Sequence, residues 1–451
     1  MNKRTGILAV LAFGLLLGGL APGGETADRF PAVMKIQDQI TVVNRITAGR
    51  LDTILPGLMR EAGFDMWIMP ENEDHPDAVL RTMVPYDTWH RRTPLVVIFD
   101  RGSERGIERL NVSRMGMKDF FVNAWDSRAY DQGQSKEGQW ACLARIVGER
   151  NPRKIGINES QVIWGADGLS AGLKKKLTET LGPPYRERLQ SAEAMATRWL
   201  ETLLPEEFDL LEQAIGLSRA IIAETYSNRV ITPGVTSVDD LVHHYWQRVL
   251  DLGLEKAFNP SFNIVRSPAD REKYGSRDRI IRRGDLIHCD VGLTYLRYHT
   301  DHQELAYVLR RGEKDIPEAF KKAMSEGNRL QDVFIGEFRT GRTGNQLLKA
   351  ILEKARKDGI PNPRVYSHAL GYCPHDPGPL IGLPEEQENT GGRGDVALVP
   401  NSAFAAEMSV GFPVPEWNGA IFTLGLEQDI VFDGTSAFFL GGRQQDFHLI
   451  K

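Results

Sequence analysis

Two domains of different class are predicted, a smaller α/β segment over residues 28–200 and an α+β domain over residues 205–448, and three observations carry that division. As far as about Thr197, helical patterns alternate with short apolar runs, the rhythm of an α/β layer structure. At Pro205 a proline followed by acidic residues opens a long amphipathic pattern, which marks a helix start and a new domain. Beyond Ser261, strand-like runs dominate, broken by two helical patterns. A chain of 451 residues is also too long for one ordinary core.

In chain order, "MNKRTGILAVLAFGLLLGGLAPGG" joins a basic start at Lys3 and Arg4 to an apolar run of about 15 residues and then small residues. That layout predicts an export signal over residues 1–23, cleaved near Ala21 to Gly23, and hence a periplasmic or secreted protein. The run is short for a bilayer span of roughly 20 residues, so no stable membrane insertion is expected after cleavage. "VVNRITAGRLDTILPGLMREAG" reads as helix, while "FDMWIMP" and "TPLVVIFD" read as strands. "ENEDHPD", with His75, reads as a solvated loop. Past Pro205, "ITPGVTSVDDLVHHYWQRVLDLG" gives a turn, a cap and a helix that places His243 and His244 on a surface. "DIPEAFKKAMSEGNRLQDVFIGEF" and "GNQLLKAILEKARKDG" supply the two later helices.

An apolar content of 41% and a charged content of 25% suit a soluble globular enzyme. The net charge of -5, with no basic stripe interleaved with aromatics, argues against nucleic acid as a partner. Cys142, Cys289 and Cys373 show no disulfide or zinc-ribbon spacing.

The chemistry concentrates in the second half. "GDLIHCDVGLTYLRYHTDHQELAYV" holds Asp290 and Asp301 in two alternating runs, Leu286 to Leu293 and Tyr298 to Val308, with a turn expected around Tyr295 to Arg297. A hairpin there would make the two aspartates cross-strand neighbours, with Cβ atoms about 4.5–5.5 Å apart. Two like charges so placed need a shared proton or a metal ion. Downstream, "VYSHALGYCPHDPGPLIGL" carries His368 and His375, and "LVPNSAFAAEMSV" and "IFTLGLEQDIVF" each set one glutamate, Glu407 and Glu427, into an apolar run where an unpartnered carboxylate is costly. Four carboxylates and an imidazole suit two divalent ions, with manganese, iron, cobalt or zinc favoured over a thiolate-loving metal.

The order Asp, Asp, His, Glu, Glu resembles the pita-bread metallopeptidases: methionine aminopeptidase, Xaa-Pro aminopeptidase and prolidase. "DVGLTYLRYHTD" is similar to that family's two-aspartate hairpin, "YCPHDPG" to its segment around the ligand histidine, and "VPNSAFAAEM" and "LEQDIVF" to its glutamate strands. The resemblance covers roughly Pro205 to Phe447 and implies a pita-bread catalytic domain, with the preceding segment similar to the N-terminal domain of creatinase and prolidase. It further implies Asp290, Asp301, His375, Glu407 and Glu427 as ligands of two divalent ions, manganese first among them, with Glu407 as proton acceptor. A dinuclear metallo-aminopeptidase cutting short peptides near the N-terminus, in the manner of Xaa-Pro aminopeptidase, is the expected activity, and a homodimer the expected assembly. Competing readings are a creatinase-like C–N hydrolase that works without metal and a binding protein that keeps the fold without catalysis.

Three features the resemblance leads one to expect are missing. No histidine occurs between His244 and His288; the histidine seven residues after the ligand is replaced by Gly382; and the arginine two residues before the last glutamate of proline-specific members is Gly425. Two compensations are expected. His368 would orient substrate or move protons, and Arg266, near the place of the first missing histidine, would bind a substrate carboxylate. His299 is expected beside the metals or facing the substrate.

Overall fold

The computed structural model describes residues 30–375 and 377–451, so the expected export signal over residues 1–23 lies outside the described residues. The first helices, Ile36–Thr53 and Leu55–Ala62, cover the stretch read as helical. A mixed six-stranded sheet follows, in the order Val122–Asn123, Ile107–Asn111, Leu95–Asp100, Met66–Pro70, Ile155–Ile157, Leu189–Ser191. Met66–Pro70 pairs antiparallel with Leu95–Asp100 and parallel with Ile155–Ile157, and every one of its residues is buried. A strand covered on both faces has no polar side to show, which is why "MWIMP" lacks alternation. Met66 and Ile68 pack with Leu143, Ile146, Leu173 and Leu177 of the helices Gln139–Arg150 and Ala171–Leu181.

"ENEDHPD" is less solvated than its composition suggests. Glu71 and Asp77 are buried: Glu71 pairs with Arg81 and His90, and Asp77 caps the helix Ala78–Met83 by accepting from Leu80 N.

The second half begins with the helix Pro205–Thr225, its proline in the first turn, where a missing N–H costs nothing. The helix Val238–Asp251 is capped by Ser237, and its His244 is bonded to Thr225 Oγ1 at 3.0 Å. Two long strands, Ser402–Val414 and Ala420–Phe432, pair along their full 13 residues each and form the centre of a five-stranded sheet flanked by Arg364–Leu370 and Leu380–Ile381 on one side and Ala437–Phe439 on the other. A four-stranded sheet runs His448–Ile450, Leu305–Val308, Leu286–Asp290, Ser261–Val265. The helices Glu318–Gly336 and Gly344–Lys357 bury Phe320, Leu330, Phe334, Leu347 and Ile351 against Phe404, Leu424 and Leu426 of the long strands. Core contact thus falls on one face of the strand pair, leaving the other for polar chemistry. Among the described residues, no helix is long and apolar enough to cross a membrane.

The aspartate hairpin forms with a different register from the one expected. Its strands are broken into Leu286–Asp290, Leu293–Tyr295, Tyr298–His299 and Leu305–Val308. Tyr295 pairs with Tyr298 around a two-residue turn, with Leu296 at φ 53 and Arg297 at φ 74. Positive φ at both central residues matches the strand twist in such turns, although Leu and Arg adopt it less readily than Asn or Gly. The pairs His288 with Leu305 and Val291 with His302 put Asp290 opposite Gln303. Asp301 is therefore diagonal to Asp290, two positions out of direct opposition, though on the same face.

Candidate metal centre

Three strands carry Asp290, Glu407 and Glu427, and Asp301 lies in the link between Tyr298–His299 and Leu305–Val308. Glu407 and Glu427 face one another directly across the long strand pair. Glu427 is also bridged, backbone to backbone, to Gln303, which ties the five-stranded sheet to the aspartate hairpin. As a result one oxygen each from Asp290, Asp301 and Glu427 lie within 4.8 Å of one another. A second group, Asp301 with His368 and His375, meets the same limit, so Asp301 belongs to both.

His368 lies on the strand Arg364–Leu370 opposite Ala405 and is 1% exposed. Its Nε2 stands 3.6 Å from Asp301 Oδ2 and 3.8 Å from Glu427 Oε1. His375 sits beyond the strand, its side chain 42% exposed, with Nε2 3.6 Å from Asp301 Oδ2. The two rings are 5.0 Å apart, and Phe258 lies against His375 at 5.3 Å. His299 is bound to the same loop, its Nδ1 3.0 Å from Gly371 O and its backbone N–H donating to that oxygen at 2.8 Å.

The electrostatics are those of a site whose acids need protons or cations between them. Burial pushes the Asp290 carboxyl up to about 6 and that of Glu407 to about 7, the latter also through the charge of Asp290. Asp301 is held well above the carboxylate range by burial first and then by the charges of Asp290, Asp429 and Glu407, and Glu427 likewise by burial and then by Asp301, Glu407, Asp290 and Asp429. His368 is pushed down to about 3, by burial and then by His375, so it is a neutral imidazole with a lone pair to offer. Asp301 Oδ1 and Glu427 Oε1 are buried with no hydrogen-bond partner, an arrangement too costly to keep without something positive between them.

Around this cluster stand residues that the sequence reading passed over. Gln303 Nε2 donates to Glu427 Oε2 at 2.7 Å, and the same side chain bonds Glu407. His288 Nε2 meets Gln303 Oε1 at 2.9 Å. Asp429, wholly buried, accepts the Asp301 backbone N–H at 3.3 Å on each oxygen. The signal was present: Gln303 lies two residues after Asp301 and Asp429 two after Glu427, the period of one strand face.

Arg266 overturns its expected role. Its guanidinium is buried and spent on Asp285 (2.8 and 3.0 Å), on Asp278 (2.9 Å) and on Ile280 O (2.5 Å), which leaves its donors turned to the protein rather than to a substrate carboxylate. Gly382 and Gly425 are explained by space. At Gly382, φ is +74 and a Cβ would stand 2.4 Å from Val365 O, so no histidine can sit there. At Gly425 a Cβ would come within 3.2 Å of His288 Nε2 and 3.3 Å of Gln303 Oε1, so the His288–Gln303 pair fills the space beside this position.

A mixed-sheet pita-bread domain with buried carboxylates and histidines converging on its inner face defines the class: the catalytic fold of the creatinase and aminopeptidase type, preceded by an α/β domain. Residues 209–433 match the profile of metallopeptidase family M24, and the chain belongs to that family. Among solved structures, it is similar to an X-Pro aminopeptidase from Thermotoga maritima, with a TM-score of 0.61, 18% identity and coverage of 87% of this chain and 99% of the other. It is also similar to an Xaa-Pro dipeptidase from Bacillus anthracis, with a TM-score of 0.57, 16% identity and coverage of 90% and 100%. Dipeptidase PepE from Mycobacterium ulcerans has a TM-score of 0.56 at 17% identity, covering 91% and 98%. A curated relative, a probable dipeptidase PepE of Mycobacterium tuberculosis, is 28% identical over 143 residues, which is 31% of this chain and 34% of the relative. The match therefore spans about a third of that relative's length.

Proposed function

We propose that this protein is a dinuclear metallopeptidase that hydrolyses short peptides near the N-terminus, with Xaa-Pro peptides as the first substrates to try. The observation that carries this reading is the pair of overlapping groups, Asp290, Asp301 and Glu427 on one side and Asp301, His368 and His375 on the other, with two buried oxygens lacking any partner. The donor set fits two divalent ions of the manganese, cobalt, zinc or iron kind, held by Asp290, Asp301, Glu407, Glu427 and a histidine. When bound, such ions lower the pKa of a water and polarise a scissile carbonyl.

The chain's own residues do the rest. His368 is proposed as the ligand histidine in place of His375, because it is buried, neutral and set between Asp301 and Glu427. His375 then stands seven residues after the ligand, where relatives carry a second histidine, and the absence counted at Gly382 disappears. From its half-exposed loop His375 would hold substrate, with His299 beside it. Glu407, directly opposite Glu427 across the long strand pair, is the proton acceptor in this reading. His288 and Gln303 hold the glutamate carboxylates in register beside Gly425. Export of the mature chain and its assembly as a homodimer belong to the same proposal.

Metal analysis of protein purified after manganese supplementation, followed by digestion of an Xaa-Pro and general dipeptide library, tests the reading. About two ions per chain and dipeptide turnover are expected. Protein free of metal, or loaded protein that cuts nothing, would refute it.

A further inference from the structure

The first helix reaches beneath the candidate centre. Arg50 of Ile36–Thr53 is fully buried; its Nη1 donates to Glu207 Oε2 at 2.8 Å and to Thr202 O at 2.5 Å, and its Nη2 donates to Trp199 O. The guanidinium lies over Trp199 at 4.6 Å and over Tyr372 at 4.7 Å. On the far side of the pair, Glu207 Oε1 accepts two phenols, Tyr298 at 2.9 Å and Tyr372 at 2.7 Å.

Those two tyrosines are not arbitrary. Tyr298 closes the hairpin turn, next to His299 and three residues before Asp301; Tyr372 stands three residues before His375. Their rings are 5.3 Å apart, and the backbone of His299 is bonded to Gly371. The turn is held from the same quarter: Arg297 donates to Thr47 Oγ1 at 3.2 Å and to Val84 O at 3.0 Å, and Tyr295 OH accepts from Met34 N at 2.9 Å. A fully buried ion pair contributes little net stability compared with an apolar pair of the same shape. Its use here is geometric, because one carboxylate oxygen binds two segments that must meet.

We propose that Arg50 and Glu207 form a positioning pair through which the N-terminal domain sets the aspartate hairpin and the His375 loop relative to one another. Its effect on ion binding rests on the metal-centre reading above; its effect on the two segments does not.

The test uses the full-length protein. Tyr298→Phe/Tyr372→Phe removes only the two hydroxyls, Glu207→Gln removes the charge, Arg50→Met removes the guanidinium, and Arg50→Lys is the conservative variant expected to keep part of the wild-type behaviour. In metal-free protein, amide hydrogen exchange over residues 293–302 and 371–375 should rise at least about tenfold in the double variant, with exchange in Met66–Pro70 unchanged. Titration with cobalt(II) alone should then show a Kd raised about 10–100-fold, the usual consequence of losing groups that orient ligands. Unchanged exchange in both segments would overturn the proposal, whereas faster exchange with an unchanged cobalt Kd would uphold the positioning of the segments and refute its effect on ion binding. If Glu207→Gln does not fold, the hydroxyl variants still decide. Wild type that takes up no cobalt would sink the metal-centre reading, while the exchange comparison would still decide whether the pair positions the two segments.

Discussion

Replacing each of the two histidines in turn distinguishes the site geometry from the motif order. Metal-free His368→Ala and His375→Ala would be titrated with cobalt(II) near neutral pH, and each assayed on a dipeptide. An apparent 10–16 kcal/mol for a four-ligand zinc site is about 2.5–4 kcal/mol per ligand, or roughly a hundredfold to a thousandfold in affinity. That loss is assigned to His368→Ala, because His368 is 1% exposed and its Nε2 is 3.6 Å from Asp301 Oδ2 and 3.8 Å from Glu427 Oε1. His375, on a half-exposed loop, has one such acid at 3.6 Å. His375→Ala should shift cobalt affinity by less than about tenfold, yet lower kcat/KM by about a hundredfold or more, the range for a group acting on substrate or protons. Weak binding in His375→Ala together with near-normal binding in His368→Ala would refute this assignment and restore the order read from the motif.

Arg266→Ala should destabilise the protein by about 3–5 kcal/mol in urea unfolding, because Asp285 and Asp278 lose a buried partner; a raised KM with unchanged stability would instead return Arg266 to the substrate. Glu201, buried with Oε2 unpartnered, has its carboxyl pushed up to about 8 by burial, against the pull of Arg198. The folded protein thus keeps a proton that the unfolded chain releases from about pH 4.5 upward, so this group's contribution is full below that pH, falls as pH rises and levels off above about 8. Glu201→Gln should match wild type at the acid end and exceed it by a few kcal/mol above about pH 8; urea midpoints that run parallel across the range would contradict this. Intact-mass measurement of exported protein should find a chain beginning between Pro22 and Asp28, whereas retention of residues 1–20 would mean an anchored protein.

Elements with strong local signals were legible in the sequence. Pro205–Thr225 was announced by its proline and acidic first turn, and the strands bearing Glu407 and Glu427 by a lone acid in an apolar run. Register was not legible, because it depends on where a turn closes. Leu296 and Arg297 adopt positive φ without the Asn or Gly that would have located the turn, so Asp290 and Asp301 were read as opposed when they are diagonal. The proposed exchange of the two histidines turns on a related point. Seven residues separate them, and only the strand Arg364–Leu370 shows which one the sheet carries inward. Arg266 looked available because its partners, Asp278 and Asp285, are 12 and 19 residues away with no helical or strand period to join them.

The direct opposition of Glu407 and Glu427 has a consequence for how the chain assembles. The hairpin Ser402–Phe432 can close early, since its ends are close in sequence and its outer pairs, such as Phe412 with Phe422 and Phe404 with Ile430, are apolar. Zipping from the turn would pass the two glutamates about midway, and if it runs ahead of docking by the aspartate hairpin, whose Asp301 lies more than a hundred residues before Glu407, they meet with no partner. Repulsion between directly opposed carboxylates, of the order of 0.2–1 kcal/mol, then falls on the nascent ribbon alone. Acid or a divalent ion present during refolding would relieve it, and this strand pair would become a step at which the surrounding solution sets the pace of folding.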